Sequence, residues 1–214
     1  MVEAEVLLFD LDGTLVDSSQ DIVTAVNAML RYMGTVPRTS QEVVSFVGHG
    51  ERALMASALG TTEPAVLERA LTFFSDYYVR HLVEETRLYP DVIETLRYLH
   101  KQTKCIVTNR SRSSAQVIVR EMGLEEYFAC VVTGDDSSCV KPSPCPVNRA
   151  LAGIAHNRRR TMMIGDMDVD ILAGKGAGVL TCGVTYGIGS AASIATAQPD
   201  FVIENFSELR AMIR

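Results

Sequence analysis

Beyond Pro90, short apolar runs alternate with amphipathic helical stretches, and few architectures accept that alternation. The apolar runs fall at 105–108, 129–133, 161–164, 179–184 and 201–203. Helical patterns occupy 91–102, 112–122, 146–155, 168–176, a short stretch near 190, and 206–213. Strands joined through helices predict a parallel sheet covered on both faces, because each parallel crossover needs a helix and each helix needs a face to bury. The run at 5–9 has the same texture and is the first strand of that sheet. An unbroken apolar segment of this kind suits a strand buried on both sides.

Between 17 and 85 only helical patterns occur. Ser18 is placed to cap a helix with Ile22, Val26, Met29, Leu30 and Met33 on one face, closed by Gly34 and Pro37. A short helix over 41–46 is broken by Val47-Gly48-His49-Gly50, and one over 51–59 is ended by Gly60. Pro64 opens a long amphipathic helix carrying Leu67, Ala70, Leu71, Phe74, Tyr78 and Leu82. The aromatic cluster Phe73, Phe74, Tyr77 and Tyr78 reads as core. The expected organisation is an α/β, Rossmann-like core over 1–16 and 86–214 with an all-helical insertion over 17–85.

Open α/β sheets bind ligands beyond the carboxyl ends of their strands. The first strand delivers Asp10 and Asp12 there, the second Thr108 and Asn109. Lys141 follows the third at some distance, and the fourth delivers Asp166, with Asp168 and Asp170 close behind. A single Asp after a strand is ordinarily a helix cap or a turn residue, and a lone Lys-Pro is ordinarily surface. Four such features, in order and each at a strand end, are not ordinary. Crowded carboxylates repel and need a cation, and an oxygen-only ligand set with room for water suits Mg²⁺. A cationic pocket in turn favours a phosphoryl group, and a carboxylate can attack phosphorus.

Competing motifs fail on their spacing. Asp166-Met167-Asp168-Val169-Asp170 imitates a calcium loop, but Ile171 stands where glycine is needed and Ala177 where glutamate is needed. Gly174-Lys175 lacks the rest of a P-loop, and the glycines at 174, 176 and 178 precede a strand instead of following one. No Gly-x-Ser-x-Gly elbow occurs. The formal net charge of −6 argues against nucleic acid, which selects basic faces. The only basic cluster, Arg158-Arg159-Arg160, reads as a solvated helix end. The five cysteines contain no C-x-x-C pair. Neither zinc nor a disulfide framework is therefore expected, Cys139 and Cys145 read as exposed thiols, and a reducing cytoplasm is the expected location. No stretch approaches the ~20 apolar residues that cross a bilayer, and the acidic start of the chain lacks the layout of a signal peptide.

Asp10-Leu11-Asp12-Gly13-Thr14-Leu15, Thr108-Asn109, Lys141-Pro142 and Gly165-Asp166-Met167-Asp168-Val169-Asp170 together resemble the four motifs of the haloacid dehalogenase superfamily. The helical insertion, Val47-Gly48-His49-Gly50 and Gly183-Val184-Thr185-Tyr186-Gly187 look like its phosphoglycolate phosphatase-like branch, with a small helical cap. The resemblance implies a Mg²⁺-dependent phosphomonoester hydrolase that works through an aspartyl-phosphate on a small phosphorylated metabolite, with phosphoglycolate leading. In that scheme Asp10 is the nucleophile and Asp12 the general acid and base, while Thr108 and Lys141 hold the phosphoryl oxygens. Mg²⁺ would sit on Asp10, Asp166 and the backbone carbonyl of Asp12, supported from outside by Asp170 and Asn109. An acid at position 12 favours phosphotransfer over dehalogenation. Met167 departs from the Ser or Thr usual in this branch, which costs the pocket some polarity.

Substrate choice would fall to the cap, where His49 and Arg52, with Arg110 beside the second motif, could meet an anionic group. A sugar phosphomutase of the β-phosphoglucomutase type, a pyrophosphatase and a non-catalytic phosphate or metabolite sensor remain as alternatives. The oligomeric state is left open.

Overall fold

The computed structural model describes residues 1–136 and 139–214. In chain order, β1 (Val6–Phe9) and β2 (Val16–Asp17) precede four helices: α1 (Ser19–Tyr32), α2 (Ser40–Ser45), α3 (Glu51–Leu59) and α4 (Pro64–His81). Then come β3 (Arg87–Leu88), α5 (Val92–Tyr98), β4 (Thr103–Val107), α6 (Arg112–Glu121), β5 (Cys130–Val132) and α7 (Cys145–Leu151). The chain finishes with β6 (Thr161–Gly165), α8 (Asp168–Gly176), β7 (Leu180–Val184), α9 (Ala191–Ala197), β8 (Phe201–Ile203) and α10 (Leu209–Met212).

Six strands form one parallel sheet in the order β5-β4-β1-β6-β7-β8. The alternation read from the sequence thus yields the α/β, Rossmann-like fold. Successive side chains point to opposite faces, and both faces are covered. Leu7, Phe9, Ile106 and Ile164 join one apolar cluster, whereas Val6, Leu8, Cys105 and Met163 join the other. The first cluster runs on into α1, α3 and α4, so the inserted helices share a core with the sheet. After β1 the chain builds outward through β4 and β5, then crosses to β6 on the other side. That reversal opens a crevice between the carboxyl ends of β4, β1 and β6. In register, Phe9 lies beside both Ile106 and Ile164, which sets the residues that follow each strand at one level.

Strands β2 and β3 pair antiparallel, Val16 opposite Leu88 and Asp17 opposite Arg87, so the two connections to the inserted helices run side by side. Ser18 takes the N-cap position of α1 as expected, but its side chain makes no capping bond. Asp17 accepts from the Ser19 backbone N–H and hydroxyl instead, which frees the Ser18 hydroxyl to donate to Asp12. Buried Asp21, in the first turn of α1, accepts from the backbone N–H groups of Glu85 and Thr86 and from the Thr86 hydroxyl. Asp21→Ala strands these donors and is expected to cost about 1–3 kcal/mol. The loss would appear as a lower urea midpoint with an unchanged slope.

Three further expectations change. Arg158–Arg160 form a 3₁₀ turn leading into β6, not the end of a helix: Arg158 bonds the Ala177 carbonyl and Asn148, and Arg160 pairs with Glu3 and Glu5. The preceding helix already ends at Leu151. Cys139 and Cys145 are not free thiols but a disulfide, their Cα atoms 6.4 Å apart, within the usual range for a bridge. The aromatic cluster divides. Phe74 and Tyr78 are buried, while Phe73 and Tyr77, half-buried against the same core, also form a row of stacked rings that runs from Tyr32 to His81. Among the described residues no helix is long and apolar enough to cross a membrane.

Candidate active site

The turn after β1 places two carboxylates and the backbone that supports a third. Gly13 has φ +78°, open to glycine at little cost, and a Cβ there would lie 2.0 Å from Asp166 Oδ2. Only glycine lets this turn approach the end of β6 so closely. Thr14 Oγ1 donates to Asp166 Oδ1 at 3.3 Å, and the Tyr186 hydroxyl donates to the Thr14 carbonyl at 2.8 Å. The Gly189 N–H donates to Asp166 Oδ2 at 2.8 Å.

Lys141 is remote from the strand ends in sequence but fixed in space by Asn109. The Lys141 N–H donates to Asn109 Oδ1 at 2.8 Å, and Asn109 Nδ2 donates to the Lys141 carbonyl at 2.9 Å. The same Nδ2 donates to the Gly48 carbonyl of the α2–α3 loop at 2.8 Å. The lysine ammonium, 1% exposed, lies 2.8 Å from Asp10 Oδ1 and 2.6 Å from Asp170 Oδ1, and donates to the Val107 carbonyl at 2.7 Å. Its pKa is raised because the attraction of Asp10 and Asp170 outweighs its burial.

Asp10, Asp166 and Asp170, all buried, bring one oxygen each within 4.8 Å of one another. One ammonium does not neutralise three carboxylates. Burial pushes Asp166 up to about 7, with Asp170 adding repulsion. Asp10 is also raised, by burial ahead of the opposing pull of Lys141. Hard oxygen donors with unbalanced negative charge fit Mg²⁺. Of the expected metal set (Asp10, Asp166 and the backbone carbonyl of Asp12), the two side chains lie together, and the Asp170 carboxylate joins them.

The Asp12 side chain turns away to Arg110. Arg110 Nε donates to Asp12 Oδ2 at 2.8 Å and Nη2 to Oδ1 at 2.5 Å, the same oxygen that accepts from Ser18. Burial opposes ionisation of Asp12, but the guanidinium prevails and holds its pKa below the ordinary range. The Arg110 Cζ lies 5.0 Å from the centre of the Tyr78 ring.

A cavity opens above these groups. Asp10, Asp12, Thr108, Asn109, Arg110 and Lys141 supply its polar floor, and Ile22, Val47, Leu54, Phe74, Tyr78 and Met167 much of its apolar wall. Gly48, at φ +117°, passes so near Met167 that a Cβ would lie 2.3 Å from its sulfur. The structure therefore brings together Asp10, Asp12, Thr108, Asn109, Lys141, Asp166, Asp170 and Arg110. Two candidates from the inserted helical segment lie elsewhere: His49 is exposed and outside the lining, and Arg52 pairs with Glu68 on the surface. Asp168 begins α8. Sequence reasoning missed Tyr78, Ser18 and Thr14. Tyr78 left one signal, a hydroxyl on an otherwise apolar helical stripe.

Residues 7–184 match the family of haloacid dehalogenase-like hydrolases. A phosphoglycolate phosphatase of Colwellia psychrerythraea is 36% identical over 216 residues, covering 97% of this chain and 96% of its own length. One from Vibrio vulnificus strain CMCP6 is 33% identical, with 97% and 95% covered. The crystal structure of a predicted phosphoglycolate phosphatase from Haemophilus somnus 129PT superposes with a TM-score of 0.93 at 26% identity, over 99% of both chains. The chain belongs to the haloacid dehalogenase-like hydrolases and is a phosphatase of the phosphoglycolate phosphatase-like branch.

Proposed function

We propose that the protein is a Mg²⁺-dependent phosphomonoesterase that forms an aspartyl-phosphate on Asp10, with phosphoglycolate as its leading substrate. The observation that carries this reading is the placement of Asp10: at the end of the central strand, on the cavity floor, one oxygen held by the Leu11 N–H and Lys141. An Asp10 oxygen attacks phosphorus as the ester P–O bond breaks, and Asp12, which takes up a proton from solvent as the substrate binds, gives it to the departing oxygen. Asp12 then takes a proton from water. That water attacks phosphorus, the bond to Asp10 breaks, and phosphate leaves. Lys141 and the Thr108 hydroxyl hold charge on the phosphoryl oxygens. Asp10 and Asp166, with Asp170 beside them, would hold Mg²⁺, which would supply charge neutralisation at the phosphoryl group. The helices over 17–85 serve as a cap that excludes water from the site.

The deciding experiment is a hydrolysis panel with Mg²⁺ over phosphoglycolate, sugar phosphates, nucleotides and pyrophosphate, read as released inorganic phosphate. Phosphoglycolate is expected to give the highest kcat/KM. An isomerised sugar phosphate in place of phosphate release would identify a mutase, and binding without turnover a sensor. A second check needs no substrate. Mg²⁺ should raise the Tm of the wild type, and the gain should vanish in Asp166→Asn, since an ion bound only by the native state stabilises it by mass action.

A further inference from the structure

Asp12 has to meet the leaving oxygen of the ester, yet in this structure both of its carboxylate oxygens are engaged. Oδ2 accepts from Arg110 Nε, and Oδ1 from Arg110 Nη2 and Ser18. The Arg110 side chain is only 5% exposed. Beneath it lies the ring of Tyr78 from α4, whose hydroxyl is buried and meets no hydrogen-bond partner among the described residues. A buried hydroxyl without a partner is costly and unusual, and this one belongs to a residue that lines the cavity.

Two cationic side chains line the cavity among the described residues, Lys141 and Arg110. Lys141 is committed to Asp10, Asp170 and the Val107 carbonyl. Arg110 is held by Asp12 alone among the carboxylates, at the place where the leaving group would emerge. An alkyl leaving group offers Arg110 nothing. A leaving group bearing a carboxylate offers a planar anion that the guanidinium fork can grip with two bonds.

Resting on the phosphatase reading above, we propose that Arg110 and Tyr78 form the receptor for a carboxylate on the leaving group. Its capture draws Arg110 off Asp12, so that one Asp12 oxygen turns to the ester. Arg110 is thus a specificity-determining latch. A substrate with a second anion releases the general acid, and one without it leaves Asp12 engaged. The class selected is a small phosphate monoester with a carboxylate close to the ester oxygen.

The test compares phosphoglycolate with ethyl phosphate, which has the same two-carbon leaving group without the carboxylate. For Arg110→Gln we expect kcat/KM on phosphoglycolate to fall on the order of 100-fold, while kcat on ethyl phosphate rises because the guanidinium no longer holds Asp12 by both oxygens. Tyr78→Phe keeps the ring beneath the guanidinium and should lower the phosphoglycolate-to-ethyl-phosphate ratio as well. If Arg110→Gln does not fold, Arg110→Lys keeps the charge without the fork, and its ratio should fall between wild type and Tyr78→Phe or below. Equal losses on both esters, with the ratio unmoved, would overturn the proposal and leave Arg110 as a support for Asp12. A binding arm stands apart from turnover. Phosphonoacetate should raise the wild-type Tm more than methylphosphonate does, and the difference should disappear in the Arg110 variant. If the wild type hydrolyses neither ester, the phosphoglycolate reading fails, and the binding arm alone judges the receptor.

Discussion

Asp10→Asn is expected to reduce Mg²⁺-dependent hydrolysis of an aryl phosphate by about 10⁴-fold or more. Asparagine has the same size, and its carbonyl oxygen can still accept from the Leu11 N–H and from Lys141, the bonds that hold Asp10 now. The fold should persist, with a cooperative melt and an unchanged circular dichroism spectrum. What disappears is a carboxylate able to bond to phosphorus. Wild-type turnover in this variant, with native folding demonstrated, would exclude the aspartyl-phosphate.

Lys141→Ala should strike both stability and rate. Its ammonium lies between Asp10 and Asp170, both buried, and removing it leaves like charges facing each other without their cation. Breaking a buried pair from one side costs about 3–5 kcal/mol, measured by urea unfolding without Mg²⁺. The rate should fall by about 10²–10³-fold as well, since one donor to developing phosphoryl charge is gone. Mg²⁺ should return part of the stability but not the rate, because the ion relieves the carboxylates without replacing the donor. A variant as stable as wild type in metal-free urea would show that the three carboxylates do not depend on this lysine.

The sheet was readable because β1, β4, β6 and β7 are buried on both faces and so spell continuous apolar runs, with helices between them. The ribbon of β2 and β3 was not, since two residues per strand make no period. Strand ends pointed to Asp10, Thr108, Asn109 and Asp166 because position after a strand is a local property. The partnership of Asp12 with Arg110 joins residues 98 apart and has no local mark. Ser18 looked like a helix cap because serine at that place usually is one. Which acceptor a hydroxyl takes is decided by tertiary neighbours, here Asp12. The pairing of Cys139 with Cys145 likewise follows from how the Lys141 loop folds back, not from the cysteine spacing.

The paired β2 and β3 segments have a mechanical consequence. A body hung from one strand can swivel and twist freely. Hung from two strands bonded to each other, and pinned where Asp21 grips Glu85 and Thr86, the helical segment loses both freedoms at its point of attachment. At its far side Gly48 meets the Asn109 amide that also clamps Lys141, so one side chain ties the inserted helices to the loop that carries the buried ammonium.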